Sequence, residues 1–465
     1  MLNNRNNLPP EAIKLASKFT YDSSIFNNVP KLRYSHVADE NSPNADLHVL
    51  GIAFDQNACG HYRLLYPLMN LAKQGANVEV IQAENLSCLD MNMVANSNYV
   101  IMSRLIDKEM FKAIKVLAER LNITLIYELD DCFHEIDAGN PASKVFNKTT
   151  QDGRYYMSSI EYAMKHSDGI IVSTRELAGF YEEYANKIHV VENGLDCSLN
   201  TRKWDVIPNN NWRYIAHDQG CEVNEDSLLI GWAGSPTHLT DLQEISTCIK
   251  TIIKNNPEVI FGIYSNDEFS MQVVTEVLRL PYERFMFIHP RLFVNYPEPL
   301  SYFDIGLAPL ANNTFNRCKS ALKLMEYNAQ ATPYVASNVA PYTRYHYDTE
   351  CRGGLLANDV DDFTNCIQIL INEPSMREQM QRGGMISART QYDVVNTSKH
   401  LGYTLRLINE NRLGITRYPS VIEMTDQMNG LPKPKKHIDP ENDQCPCGSG
   451  DYYKYCRNQC RPAFG

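Results

Sequence analysis

The amino-acid sequence predicts an α/β fold with two Rossmann-like domains that face a central cleft. Short, nearly continuous apolar runs alternate with stretches of helical periodicity, a pattern typical of parallel strands covered by helices on both faces. The alternation begins near residue 47, stops in a polar stretch after residue 215 and begins again near residue 225. A chain of 465 residues is long enough for two such units and a small third one.

The first domain is expected over residues 47–215, after a polar and loosely structured lead-in over residues 1–46 that holds one helix at residues 10–19. A helical stretch that ends at Gly75, a natural helix stop, separates its first two strands. The runs predicted as strands are LHVLGIAF, NVEVIQ, NYVIMSR, ITLIYELDD, DGIIVST and KIHVVEN.

The second domain is expected over residues 225–395, after a polar connector. Residues 396–412 have helical spacing and are expected to pack back on the first domain, whereas residues 413–441 are polar and contain proline, as in a linker. A cysteine-rich module follows at residues 442–465. The runs predicted as strands are SLLIGWAG, VIFGIYSN, RFMFIHP, DIGLAPL and TPYVAS.

The composition limits the class of protein. An apolar fraction of 43% and a charged fraction of 21% are ordinary for soluble globular proteins. No apolar run has the length of a membrane span, and the first residues lack the apolar core of a signal peptide. Nine of the thirteen cysteines are scattered, which favours a reducing cytoplasm. A net charge of −11 argues against electrostatic coating of nucleic acid.

The stretch NRCKSALKLMEYNAQA predicts a helix over residues 318–330 with two separate faces. Lys319, Lys323 and Glu326 share the charged face, while apolar residues form the packing face. One interpretation is a solvated face with an ion pair. The other is a nucleotide site, because the free N–H groups of a helix N-terminus favour a diphosphate, and a carboxylate two turns on accepts ribose hydroxyls. The residues expected beside the phosphates are Arg317, Lys319 and Ser320.

KLMEYNAQATPYVAS resembles the LEAMACGxPVVAS signature of retaining GT-B glycosyltransferases, particularly the family 4 group, and KSALKLMEY resembles a variant that reads KSxLKxLEY. The resemblance implies that Glu326 binds the nucleotide ribose. It also implies a hexosyl- or pentosyltransferase that uses a nucleotide sugar, such as a UDP-sugar, and needs no metal ion for catalysis. The family often has a second glutamate eight residues earlier, where this chain has Cys318.

Further stretches carry the same resemblance, which extends over about residues 47–410. IGWAGSPTHLTDL is similar to the first strand and loop of the donor domain, and YFDIGLAPL to the strand near the nucleotide base. DGIIVSTRELAGFY, with the Asn-Gly turn in KIHVVENGLD, is similar to the end of the acceptor domain. Glycines in such a loop allow a phosphate to approach the backbone, although an ordinary turn has the same pattern. The expected donor-binding residues are Gly234, Ser235, Thr237, His238, Lys319, Ser320 and Glu326.

In the first domain, four polar residues follow strands where a parallel sheet places its ligands. His61 and Arg63 come after the loop DQNACG and are acceptor-side candidates, with helix capping or a surface role as the alternative. Asp130 and Asp131 lie where the resemblance implies a histidine close to the transferred sugar. They either bind the acceptor hydroxyl or cap a helix, and a metal pair is the less favoured interpretation. The expected catalytic residues are Lys323, Arg317, Asp130 and Asp131.

The tail reads CPCGSGDYYKYCRNQC, a C-x-C-x8-C-x3-C spacing. Four thiolates in a short polar segment suit a tetrahedral structural zinc ion, which would supply the folding energy of so small a unit. The segment resembles the SEC-C zinc motif, which implies a module for docking a macromolecular partner. Disulfides or free thiols are the alternative. The expected ligands are Cys445, Cys447, Cys456 and Cys460.

Together these features predict transfer of a sugar from a nucleotide-sugar donor to a hydroxyl acceptor, with retention of the anomeric configuration. The acceptor stays open among a glycan, a protein and a small molecule. One alternative is a phage-type DNA glycosyltransferase that acts on hydroxymethylated pyrimidine bases. The other is a non-catalytic GT-B-like binding protein that presents the zinc module to a partner.

Overall fold

The computed structural model describes residues 33–54, 58–83, 89–136, 140–200, 211–235, 238–265, 275–289 and 296–415. The helix expected in the lead-in, the donor-binding candidate Thr237 and the whole zinc module lie outside these residues. The four predicted zinc ligands, Cys445, Cys447, Cys456 and Cys460, therefore stay a sequence-based prediction.

The first domain is built on a seven-stranded sheet in the order β1-β3-β2-β4-β5-β6-β7. All neighbouring pairs are parallel except β1 and β3, which are antiparallel. Apolar clusters cover both faces, as the near-continuous apolar runs require. The strands are β1 (Arg33–His36), β2 (His48–Ala53), β3 (Asn77–Gln82), β4 (Tyr99–Ser103), β5 (Thr124–Leu129), β6 (Gly169–Val172) and β7 (Ile188–Val190).

Helices of this domain begin and end at residues suited to those positions. The Asp107 carboxylate accepts the backbone N–H groups of Glu109 and Met110 at the start of α3, and Asn122 ends the helix in the left-handed conformation. The helices are a π-helix (Gly60–Leu65), α1 (Tyr66–Lys73), α2 (Met91–Ala95), α3 (Lys108–Leu121), α4 (Gln151–His166), α5 (Arg175–Phe180) and α6 (Cys197–Asn200), with 3-10 turns at Phe133–Glu135, Pro141–Lys144 and Glu182–Lys187.

The second domain has a six-stranded, fully parallel sheet in the order β10-β9-β8-β11-β12-β13. Its strands are β8 (Leu228–Ala233), β9 (Val259–Tyr264), β10 (Phe285–Ile288), β11 (Ile305–Ala308), β12 (Tyr334–Ser337) and β13 (Gly354–Ala357). The helices that follow the first domain are α7 (Asn211–Asp218), α8 (Leu239–Glu244), α9 (Ser246–Asn255), α10 (Thr314–Arg317), α11 (Leu322–Ala329), α12 (Ala340–Asp348), α13 (Val360–Asn372), α14 (Pro374–Gln391) and α15 (Val394–Arg412), with 3-10 turns at Tyr282–Arg284 and Glu298–Tyr302.

Three elements differ from the sequence-based expectation. Strand β1 lies inside the expected lead-in, where its alternating exposure on a sheet edge left no apolar run to detect. Helix α7 lies inside the expected connector, and Gln219, just after it, exchanges hydrogen bonds with the backbone of Phe287 on the edge strand β10. Strand β13, with the sequence GLLA, is not among the runs that the sequence predicts as strands.

Helix α15 crosses from the second domain back to the first. The side chain of Ile408 packs on Gly169 of β6, where any larger residue would collide with it. Arg406 pairs with Asp46 at 2.8 Å, and Asn409 accepts a hydrogen bond from the Thr124 hydroxyl. Leu405 is fully buried in the same apolar cluster as α1. No helix of the described residues has the length and apolarity needed to cross a membrane.

We expect Leu405→Ala to lower the free energy of unfolding by about 2–5 kcal/mol, because it removes buried methyl groups and leaves a cavity between α15 and the first sheet. Urea denaturation followed by circular dichroism measures the change. The matched control is Val395→Ala on the same helix, where the side chain is exposed and the change should stay within about 0.5 kcal/mol. Equal effects of the two substitutions would contradict the packing of α15 on the first domain.

Candidate functional site between the two sheets

The carboxyl ends of the two sheets face each other, and side chains join them directly. The Tyr62 hydroxyl, in the π-helix after β2, donates a hydrogen bond of 2.7 Å to the Glu326 carboxylate on α11. Asn193 Nδ2 donates a hydrogen bond of 2.8 Å to Ser320 Oγ. The Thr174 hydroxyl donates a hydrogen bond of 2.7 Å to a backbone oxygen of the second domain. Open α/β sheets place their ligands at these edges.

Helix α11 begins at Leu322, four residues later than the sequence predicts. Residues Thr314–Arg317 form the separate short helix α10, which the Asn313 side chain caps. The chain leaves helical geometry before α11 begins, and Ala321 at the N-cap offers no side-chain cap. The free N–H groups therefore belong to the turn that starts at Leu322, and the expectation that Arg317, Lys319 and Ser320 form the first turn is wrong.

Lys323 lies in that first turn, and its ammonium group is buried. No hydrogen-bond partner for Lys323 Nζ exists among the described residues, and the nearest aromatic ring, that of Trp232, has its centroid 5.4 Å away. Burial lowers the pKa of Lys323 to about 8, although the charges of Asp241 and Glu326 act in the opposite direction. The arrangement leaves a positive charge without an anion in hydrogen-bond contact.

Glu326 lies one turn further along α11 and is buried as well. Burial raises the pKa of Glu326 to about 7, while the hydrogen bond from Tyr62 and the charge of Lys323 lower it. The same burial raises the pKa of Tyr62 well above its usual value, so this hydroxyl is the donor of the pair. The bond uses Glu326 Oε1 and leaves Oε2 to accept a further hydrogen bond.

His238 and Asp241 form a second pair beside Lys323. Burial, followed by the charges of Lys323 and Lys319, lowers the pKa of His238 to about 4. The His238 ring is therefore neutral near pH 7, and its Nδ1 lies 2.8 Å from Asp241 Oδ2. Burial alone would raise the pKa of Asp241, but hydrogen bonds from His238 and from the Ala311 amide lower it. With Nδ1 donating to the carboxylate, Nε2 of His238 is an acceptor.

The loop after β8 is shaped by packing on aromatic rings. A Cβ atom at Gly231 would lie 2.0 Å from the ring of Phe303, and one at Gly234 would lie 2.3 Å from the ring of Trp232. The Gly234 amide donates to the Tyr264 carbonyl at 3.0 Å and is therefore already bonded within the protein. Ser235 is half-buried beside it, and the Ser235 carbonyl accepts a hydrogen bond from the His238 amide. These glycines permit close packing of the ring and the loop.

The cationic residues before α11 separate into two environments. Lys319 Nζ lies 3.8 Å from Asp131 Oδ1 of the first domain and 4.6 Å from the centroid of the Phe315 ring. Arg317 is exposed, and its guanidinium bonds the side chains of Asn312 and Thr314. No contact among the described residues joins Arg317 to the buried pair on α11, so its expected place beside Lys323 is not found.

The two adjacent acids after β5 have different partners. Asp131 faces Lys319 across the cleft, whereas Asp130 Oδ1 lies 3.5 Å from the Nε atom of Arg104 and makes no hydrogen bond to any described residue. Arg104 has a backbone φ of 53°, which is uncommon for a residue other than glycine. Its guanidinium also lies over the ring of Phe133. A strained backbone conformation such as that of Arg104 often occurs at a functional site.

Arg63 does not face the cleft as an acceptor-side residue, which corrects the sequence-based expectation. Its side chain is buried and donates to the Glu128 carboxylate at 2.6 Å, the Val191 carbonyl and the Asn193 side chain, each at 2.8 Å. A second bond to Glu128 comes from the hydroxyl of Ser103. His61 is half-buried, with its ring edge-on to that of Tyr66. Arg63 is consequently a structural residue of the first domain.

Sequence reasoning missed three contributors to this site. Tyr62 stands between the two candidates His61 and Arg63, and the π-helix there sets a register that a helical pattern of 3.6 residues per turn does not give. Asp241 follows His238 by three residues, a helical spacing that was a usable signal. Trp232 gave no signal, because an aromatic residue in a strand is usually core, and its Nε1 is a buried atom without a hydrogen-bond partner in the described part of the chain.

Metal ligands are not grouped in the part of the chain that the structure describes. There, no three residues among His, Cys, Asp and Glu are placed to hold an ion together. The partners of Asp130 and Asp131 are Arg104 and Lys319.

No protein-family model matches the chain, and no curated protein matches it. Solved structures do share its fold. HepE of Anabaena in complex with UDP-glucose has a TM-score of 0.56 at 12% identity, over 77% of this chain and 99% of that one. The catalytic domain of starch synthase IV from Arabidopsis thaliana, bound to ADP and acarbose, has a TM-score of 0.56 at 8% identity, over 78% and 99%. Sucrose-phosphate synthase from Thermosynechococcus elongatus has a TM-score of 0.53 at 11% identity, over 78% and 99%.

At such identities the likeness concerns the fold. It shows the GT-B arrangement, in which two Rossmann-like domains face each other across a cleft. The fold class expected from the sequence is confirmed to that extent.

The raised pKa of Glu326 makes a signed prediction about stability. Between about pH 4.5 and 7 the folded protein holds a proton on Glu326 that the unfolded chain releases, so the stability contribution of this residue falls as the pH rises through that window. We expect the wild-type protein to lose about 2 kcal/mol more than Glu326→Gln between pH 5 and 7.5. Urea titrations at the two pH values measure it.

The matched control for that comparison is Glu225→Gln, since the Glu225 side chain is exposed. It should follow the wild-type pH dependence. A wild-type protein and a Glu326→Gln variant with parallel stability profiles would contradict a buried carboxyl with a raised pKa.

Proposed function

We propose that this chain is a GT-B glycosyltransferase that moves a sugar from a nucleotide-sugar donor, most simply a UDP-sugar, to a hydroxyl acceptor with retention of the anomeric configuration. The observation that carries the proposal is the ammonium of Lys323, which is buried and has no hydrogen-bond partner among the described residues. It lies in the uncapped first turn of α11, at the carboxyl edge of the second sheet.

A buried charge without a hydrogen-bond partner is unfavourable unless a ligand of opposite charge pairs with it. Moving an ionised ammonium out of water costs several kcal/mol even after the protein relaxes. A diphosphate would supply the missing partner of Lys323 and would also accept the free N–H groups of the first turn of α11. The lowered pKa of Lys323 fits this interpretation, since a bound dianion would restore the charged form.

The carboxylate of Glu326 is placed to receive the nucleoside. Its Oε2 can accept a ribose hydroxyl while Oε1 keeps the bond from Tyr62, so the two domains and the donor would meet at one group. The UDP-glucose bound by HepE and the ADP bound by starch synthase IV support a nucleotide in a cleft of this fold. A UDP-sugar is therefore our first choice of donor.

The reaction needs stabilisation of the departing diphosphate more than it needs a nucleophile. Lys323 and the first-turn amides would offset the charge that grows on the leaving phosphate, and preorganised charges of this kind are usually a large catalytic contribution. In the front-face mechanism that the resemblance implies, the acceptor oxygen attacks on the side that the phosphate leaves. A phosphate oxygen then takes the acceptor proton, so retention needs no enzyme-bound intermediate.

The acceptor would enter from the first domain, on the side of Asp130 and Asp131. Asp131 is held by Lys319 across the cleft, whereas Asp130 Oδ1, buried beside Arg104, has no hydrogen bond within the described residues and would accept one from an acceptor hydroxyl. The net charge of −11 disfavours a polyanionic acceptor. We therefore place a glycan or another neutral hydroxyl compound ahead of hydroxymethylated DNA.

We expect Lys323→Met to lower sugar transfer roughly 10²–10³-fold, because the thioether keeps the packing on Trp232 and removes the charge that meets the diphosphate. Glu326→Gln should raise the KM for the donor. Rates are measured with labelled UDP-glucose and other nucleotide sugars, against glycan acceptors and against DNA with or without hydroxymethylated bases. The control is Lys254→Met, an exposed lysine on α9 that should keep wild-type rates. Wild-type rates in Lys323→Met would refute the proposal.

The sequence is also the basis for proposing that the tail binds a structural zinc ion and that sugar transfer needs no metal ion. We expect the full chain to carry one zinc ion, and a double variant Cys445→Ser, Cys447→Ser to lose it, as measured by atomic emission on the purified protein. Transfer should proceed at the same rate in the wild type, in the double variant and after addition of a chelator. Loss of transfer with the zinc would contradict the separation of the two functions.

A further inference from the structure

Two cysteines, one from each domain, lie close together at the cleft. Cys132 follows the acids of the first domain, and Cys318 lies between α10 and α11 of the second. Both side chains are buried, and their chain neighbours Asp131 and Lys319 form an ion pair of 3.8 Å between the two domains. The described part of the chain contains no disulfide at either position, so both sulfurs are free thiols.

Independent contacts fix the backbones on both sides of this pair. Thr174 of the first domain donates its hydroxyl to the Cys318 carbonyl at 2.7 Å. Phe315 and Cys318 belong to the apolar core cluster of the first domain, in which Cys132 also lies. The 3-10 turn Phe133–Glu135 packs on α10. The closed arrangement of the domains thus holds the two cysteines near each other.

We propose that Cys132 and Cys318 form a reversible interdomain disulfide, an oxidation site at which a peroxide ties the two domains in the closed arrangement. Cys318 occupies the position where the resemblance implies an acid for the donor sugar. A thiol turned toward the other domain serves a different purpose there, because it offers a covalent bond between the two sides of the cleft.

The chemistry is a two-electron oxidation. The Cys318 thiolate attacks one oxygen of hydrogen peroxide, and with one proton the second oxygen leaves as water, which gives a sulfenic acid. The Cys132 sulfur then attacks the sulfenic sulfur, the S–OH bond breaks, and a second water leaves as the disulfide forms. Of the two thiols Cys318 is the better nucleophile, because its pKa is lowered beside Cys132 whereas the pKa of Cys132 is raised.

The consequence for turnover rests on the proposed function. A nucleotide sugar must enter a cleft that Tyr62–Glu326 and the two thiols now bridge, and a covalent bridge would hold that cleft shut. Oxidation would therefore stop donor exchange, and reduction would restore it. The formation of the bond itself does not depend on the identity of the donor.

The decisive experiment uses the full chain, reduced and then treated with hydrogen peroxide under native conditions. After the free thiols are blocked with N-ethylmaleimide, the protein is digested without reductant and analysed by mass spectrometry. We expect a peptide pair joined through Cys132 and Cys318, which disappears on treatment with dithiothreitol. Peroxide that converts Cys318 to sulfinic acid with no such pair would overturn the proposal.

Two variants separate the site from the other cysteines. Cys132→Ser should lose the joined pair and keep its native circular dichroism, whereas Cys366→Ser, a half-buried thiol on α13, should form the pair as the wild type does. Cys318→Ala is the second test if Cys132→Ser fails to fold. A joined pair that persists in Cys132→Ser through another cysteine would also overturn the assignment.

The effect of the disulfide on turnover is measured separately. Oxidised wild-type protein should hydrolyse or transfer from UDP-glucose at least tenfold more slowly than reduced protein, with recovery in dithiothreitol, while peroxide should leave Cys132→Ser at its starting rate. Unchanged turnover in fully cross-linked protein would refute the control of the cleft. A reduced protein with no turnover on any nucleotide sugar would refute the proposed function, and the joined peptides would still decide whether the disulfide exists.

Discussion

A buried ammonium group determines which residues can surround it at the centre of this molecule. The charge of Lys323 lies in the uncapped first turn of α11 with no hydrogen-bond partner in the described structure, so its surroundings must tolerate it. Asp241 and Glu326 stabilise the charge from a distance, and His238 stays neutral because burial and the two neighbouring lysines suppress its protonation. Under the proposed function, this arrangement is preorganised for the diphosphate of the donor.

The two domains share this centre through hydrogen bonds as well as packing. Glu128 holds Arg63, Arg63 holds Asn193, and Asn193 holds Ser320, just before α11. A chain of buried polar contacts thus runs from the core of the first domain to Ser320, just before α11 of the second. Partly satisfied buried networks are unstable, so the position of α11 and the integrity of the first domain depend on each other.

Much of this arrangement follows from the sequence, and the remainder depends on tertiary context. Apolar runs predicted the parallel sheets, and the spacing of Lys323 and Glu326 predicted one shared face. The start of α11 was missed because Asn313 caps a separate short helix. Arg63 was assigned to the cleft because a sequence does not show that Glu128 is buried beside it, and Tyr62 was missed because a π-helix alters the register. The zinc ligands and Thr237 lie outside the described residues.

Helix α15 determines where the tail is attached. It starts beside Gly194, at the carboxyl edge of the first sheet, and its last residue, Arg412, bonds Asn122 just before β5 begins. A helix of 19 residues covers about 28 Å, enough to span the domain from one edge of the sheet to the other. Ile415, where the described residues end, therefore lies on the side opposite the cleft. If the proposed function and the predicted zinc module are right, a macromolecule bound by that module would be tethered away from the entrance of the cleft.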